Sequence, residues 1–102
     1  MASRIGQTFA RLRADRRPGL ITYVTAGDPD LATSARILEA LDRAGADVLE
    51  VGVPFSDPLA DGPSIQAASM RALENGTNIP AVLKLVRSIR KESELPIVLM
   101  TY

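Results

Sequence analysis

Leu49-Glu50-Val51-Gly52-Val53-Pro54-Phe55-Ser56-Asp57-Pro58-Leu59-Ala60-Asp61-Gly62-Pro63 is the stretch on which the fold turns. Val48 to Val51 reads as a buried strand, with the Glu50 carboxylate set among aliphatic neighbours. The chain then breaks into a loop stiffened by Pro54, Pro58 and Pro63, with Gly52 and Gly62 as hinges. That loop carries two further carboxylates, Asp57 and Asp61, before a helical pattern resumes near Ser64. Taking a charge out of water is costly unless it is paired or used. A carboxylate late in a buried strand, followed by a rigid polar loop, is where α/β folds place their chemistry.

Upstream, Leu20 to Thr25 is rich in β-branched residues and reads as a first strand. Asp28 or Asp30 caps a helix from Leu31 to Ala44, which Gly45 closes. Before that strand, Ser3 caps a helix over about Arg4 to Ala14, with Ile5, Phe9 and Leu12 on one face. The cluster Arg11, Arg13, Arg16 and Arg17 reads as a solvated helix end favoured by the helix dipole, a phosphate or nucleic-acid site being the alternative. Downstream, a helix over about Ser64 to Glu74 ends at Asn75-Gly76. Thr77 or Asn78 caps a fourth helix with Pro80 in its first turn and Val82, Leu83, Leu85, Val86 and Ile89 as its apolar set. Leu95-Pro96 then turns the chain into the apolar strand Ile97 to Met100. Strands too apolar to face water on either side, alternating with helices, predict an α/β fold with a helix-covered parallel sheet.

Bulk properties narrow the chemistry. The chain has 102 residues, room for one small domain with a modest core. Twelve basic residues balance twelve acidic ones, so no net field steers a polyanion such as nucleic acid. No apolar run approaches the roughly 20 residues of a membrane span, and Met1 to Gly6 holds no signal core; the expected location is cytoplasmic. The sequence has no Cys and no His, which removes disulfides, thiol nucleophiles, imidazole bases and ordinary zinc sites. No metal site is expected, and catalysis must rest on carboxylates, hydroxyls, Lys or Arg.

Glu50 to Pro63, Thr25-Ala26-Gly27-Asp28-Pro29, Ala44-Gly45-Ala46-Asp47 and Met100-Thr101-Tyr102 together resemble the tryptophan synthase alpha subunit family. The resemblance covers essentially the whole chain. It implies a (β/α)8 TIM barrel with an extra N-terminal helix, of which residues 1–102 form a single partial-barrel domain, β1-α1-β2-α2-β3 after that extra helix. It implies retro-aldol cleavage of indole-3-glycerol phosphate to indole and glyceraldehyde 3-phosphate, without a cofactor. The indole would pass to a pyridoxal-phosphate-dependent beta subunit in an alpha2-beta2 heterotetramer that makes L-tryptophan.

By the same resemblance, Glu50 moves protons at the indole C3 and the glycerol hydroxyl. Asp61 accepts a hydrogen bond from the indole nitrogen. Tyr23, Ile65, Met100 and Tyr102 line the substrate pocket, and Pro54, Phe55, Ser56, Asp57, Pro58 and Leu59 face the beta subunit. Read on local sequence alone, Glu50 is equally a carboxylate paired with Lys or Arg, and Asp61 an Asp-Gly turn residue. Tyr23, Ile65 and Met100 have core packing as their plain alternative. The last strand stops at Thr101-Tyr102 with no helix after it, so a piece of a larger barrel is expected rather than a three-stranded miniature. Such a piece is expected to be inactive alone. The alternative function is a non-catalytic partial barrel that self-associates or docks on a partner.

Overall fold

A computed structural model describes residues 3–57 and 59–102. Helix α1 (Arg4–Asp15) leads into strand β1 (Ile21–Thr25), helix α2 (Leu31–Ala44) and strand β2 (Val48–Gly52). Helices α3 (Pro63–Glu74) and α4 (Ile79–Arg90) then precede strand β3 (Ile97–Met100). The three strands form one parallel sheet in sequence order, with β2 in the middle.

Helix ends follow the capping residues. Ser3 accepts from the Gly6 N–H at 3.0 Å to start α1. Of the two candidates at α2, Asp30 is the cap, accepting from the Thr33 N–H at 2.7 Å. Asn78 rather than Thr77 caps α4, accepting from the Ala81 N–H at 2.9 Å. Gly45 closes α2 at φ 108°, a conformation that costs a side-chain-bearing residue about 1–2 kcal/mol.

Leu49 and Val51 of β2 point into the core against Leu38 of α2 and Val82, Leu85 and Ile89 of α4. Each large aliphatic side chain taken fully from water contributes about 1.5–3 kcal/mol, so this layer holds the helices on the sheet. Of the apolar set read for α4, Leu83 instead stays exposed. Helix α1 also departs from expectation. Its buried line is Thr8 and Leu12, while Ile5 and Phe9 lie on the flank of that line, 44% and 45% exposed. The helix meets the rest of the molecule at the N-terminal strand ends, through Leu12 against Gly19 and the Arg4–Glu94 ion pair.

The basic cluster is not wholly solvated either. Arg17 turns back to Asp47, just before β2, donating through Nη2 at 3.0 Å, and Asp47 also accepts the Leu20 N–H at 2.8 Å. The backbone hydrogen bond from Leu20 and then the Arg17 guanidinium hold the Asp47 carboxyl below the usual range. A carboxyl lowered by folding stabilises the protein above its unfolded-state pKa of about 3.9 and loses that contribution as pH falls through its folded value. Asp47→Asn is therefore expected to cost about 1.5–3 kcal/mol at pH 7, and progressively less as pH falls below about 3.9 and through the folded value, by urea unfolding. A loss that does not shrink as pH falls would refute the electrostatic reading.

Candidate functional site

Alternation along the strands divides the sheet into two faces. Val24, Leu49, Val51 and Ile97 face the helices. Glu50 therefore faces away from them, beside its register partners Tyr23 on β1 and Val98 on β3. One step toward the C-terminal ends, Thr25, Gly52 and Met100 stand in register on that same face. Ile21, Tyr23, Val98 and Met100 leave it largely apolar and open, each more than a third exposed.

Glu50 lies half-buried within β2, and among the described residues its carboxylate has neither an ion pair nor a hydrogen bond. Among the described residues, then, no Lys or Arg gives Glu50 the pairing that is the plain reading of a strand carboxylate. The three ion pairs found among the described residues use Glu94, Asp47 and Asp28 instead.

Asp61 reaches the same end of the sheet from the loop after β2. Its backbone carbonyl accepts from Gln66 Nε2 at 2.7 Å, tying the loop's end to the first turns of α3, where Ile65 sits half-buried. The Tyr102 hydroxyl, two residues beyond β3, meets the Asp61 carboxylate. Hydrogen bonding to that carboxylate, then partial burial and its charge, raise the pKa of the Tyr102 phenol. The chain holds two tyrosines and no tryptophan, so phenolate absorbance reads them cleanly. In a Tyr23→Phe background, Asp61→Asn is expected to bring Tyr102 back toward about 10. An unchanged titration curve would separate Asp61 from Tyr102.

The residues read as a partner surface divide by exposure. Pro54 is buried and shapes the loop from within, whereas Ser56, Asp57 and Leu59 are exposed. Pro58 lies outside the described residues. The Phe55 ring stacks on Tyr102 with centroids 4.9 Å apart and planes at 27°. Phe55, Ser56 and Asp57 also form one wall of an open groove of about 600 Å³, with Gln66, Met70 and Leu73 of α3 opposite.

Two arrangements were hidden from the sequence. Gly52 is not a hinge but part of β2, and a Cβ there would stand 2.0 Å from the Tyr23 hydroxyl. Asp28, free of capping duty, takes Arg71 of α3 in a paired contact at 2.7 and 3.0 Å. Asn75 Nδ2 donates to the Pro29 carbonyl beside it, so α3 is fastened to the loop after β1.

The family model described as tryptophan synthase alpha chain matches residues 9–102. The chain belongs to the tryptophan synthase alpha chain family. It is 56% identical over 100 residues to the tryptophan synthase alpha chain of Citrifermentans bemidjiense, covering 98% of this chain and 38% of that relative. The alpha chain of Geobacter sulfurreducens is 53% identical over the same length. The crystal structure of tryptophan synthase subunit alpha from Legionella pneumophila superposes with a TM-score of 0.97 at 45% identity, covering all of this chain and 39% of that one. The chain thus spans about two-fifths of the length of the relatives it matches. Within that span, its three parallel strands and extra N-terminal helix have the architecture of part of a (β/α)8 barrel. Among the described residues, no helix is long and apolar enough to cross a membrane.

Proposed function

We propose that residues 1–102 form a single partial-barrel domain supplying the proton-moving part of an indole-3-glycerol phosphate lyase. The unpaired, half-buried Glu50 carboxylate on the helix-free face of the sheet carries this reading. Retro-aldol cleavage needs a proton delivered to the indole C3, which turns that carbon into a leaving group. The adjacent side-chain hydroxyl then loses its proton as the carbon–carbon bond breaks, and the bond's electron pair returns to the indole. Glu50 serves both transfers, which one carboxyl can do in turn when its proton is not held by a partner. Asp61 accepts a hydrogen bond from the indole N–H and stabilises the positive charge that C3 protonation creates there. Tyr23, Met100, Ile65 and Tyr102 supply an apolar wall for a flat heteroaromatic ring.

No step in this scheme requires a cofactor on this chain; pyridoxal phosphate would belong to a beta subunit. That partner is assigned to the exposed residues Phe55, Ser56, Asp57 and Leu59 of the loop after β2, and to the groove this loop forms with α3. The resulting product route is tryptophan synthesis in the cytoplasm. The assay is release of indole from indole-3-glycerol phosphate by the natural full-length polypeptide, with and without a beta subunit. The 102-residue chain alone is expected to be inactive, because a barrel site draws on more strand ends than three and phosphate binds near strands seven and eight. A full-length polypeptide that releases no indole under either condition would overturn the proposal.

A further inference from the structure

Tyr23 is held more tightly than a wall residue needs. Thr25, 4% exposed, donates from Oγ1 to the Tyr23 hydroxyl oxygen at 3.3 Å. The phenol ring lies across the neighbouring strand at Gly52, where a Cβ would stand 2.0 Å from the hydroxyl and 2.6 Å from Cζ. Gly52 is thus a clearance that lets Tyr23 reach over β2. With the phenol oxygen accepting from Thr25, the phenol proton is left to a ligand; apart from Thr25 Oγ1 itself, no hydrogen-bond acceptor for it is found among the described residues. Glu50 lies two residues back on the same face of β2, roughly 6.6 Å along the strand. A half-exposed donor is therefore fixed within a side-chain length of the unpaired carboxylate.

We propose that the Tyr23 hydroxyl, aimed by Thr25 across Gly52, is a hydrogen-bond donor selecting ligands that carry a hydroxylated side chain beside the group Glu50 acts on. Tyr23 is the contact and Thr25 a positioning residue. This rests on the lyase reading above. An apolar wall would be served equally by phenylalanine; the Thr25 hydrogen bond gives the hydroxyl a direction that packing alone does not require.

The test compares two ligands on the natural full-length polypeptide: indole-3-glycerol phosphate, read as kcat/KM, and an analogue with both free glycerol hydroxyls replaced by hydrogen, read as an inhibition constant. Tyr23→Phe is expected to lower kcat/KM about threefold to tenfold, the ordinary worth of one neutral hydrogen bond, and to leave the analogue's constant unchanged. Thr25→Val should produce a smaller loss with the same ligand selectivity. The double variant Tyr23→Phe/Thr25→Val leaves no buried hydroxyl without its partner, so it reports ligand selectivity without that stability cost. It should match Tyr23→Phe on both ligands. Equal losses for the two ligands, or none for either, would overturn the assignment while leaving the lyase reading intact. A wild-type protein that neither cleaves the first ligand nor binds the second would overturn both.

Discussion

Glu50→Gln in the natural full-length polypeptide is expected to lower kcat for indole release about 10²- to 10⁴-fold, the usual worth of a positioned acid–base group. KM should stay within about threefold, because the amide keeps the shape and polarity of the carboxyl but cannot carry a proton between C3 and the hydroxyl. Stability should not follow activity. Glu50 is half-buried with no hydrogen-bond or ion-pair partner among the described residues, so the amide gives up no pairing. Glu50→Gln is accordingly expected to leave the urea midpoint unchanged. Asp47 supplies the contrast, since it is paired with Arg17 and the Leu20 N–H and should lose stability on amidation. A kcat loss below tenfold, or a marked loss of stability, would place Glu50 among the structural carboxylates instead.

Most of the fold was legible because its signals are local. Apolar strands, caps and closing glycines lie within a few residues of the elements they fix, and Leu31–Ala44 was bounded by Asp30 and Gly45 as the pattern requires. The candidate site was read from the sequence on a different ground: Glu50 and Asp61 stand in a long stretch whose resemblance to the alpha subunit family is specific. The rest lies in contacts between distant residues. The spacing of Ile5, Phe9 and Leu12 names one helical face, but the helix packs only where the strand ends meet it, and that selects Thr8 and Leu12. Arg17 among four arginines has no local mark for Asp47, 30 positions on. Gly52 after a strand reads naturally as a hinge. Its function as clearance for Tyr23 depends on strand register, which the sequence does not print.

Gly27→Ala is expected to be the most damaging single methyl added to the chain, at roughly 2–5 kcal/mol. Gly27 follows β1 with φ 90°, in the region where a side chain costs about 1–2 kcal/mol by itself. Its added Cβ would also stand 2.0 Å from Thr77 Oγ1 and 2.9 Å from Thr77 Cβ. Thr77 is 4% exposed and cannot swing into solvent, so the backbone of the loop after β1 must shift. That shift would disturb the 3.0 Å hydrogen bond from the Gly27 N–H to Ser34 Oγ, buried under α2. Gly45→Ala separates the two costs, because φ there is 108° and nothing lies within 4 Å of the added Cβ. It should lose only about 1–2 kcal/mol. Thr77→Ala removes the nearest clashing atom, and Thr77 Oγ1 is buried without a hydrogen-bond partner, so its loss forfeits no bond. Gly27→Ala/Thr77→Ala should therefore be more stable than Gly27→Ala alone, by urea unfolding. If Gly27→Ala costs no more than Gly45→Ala, the loop after β1 is free to move, and the Asp28–Arg71 and Asn75–Pro29 contacts do not hold it against α3.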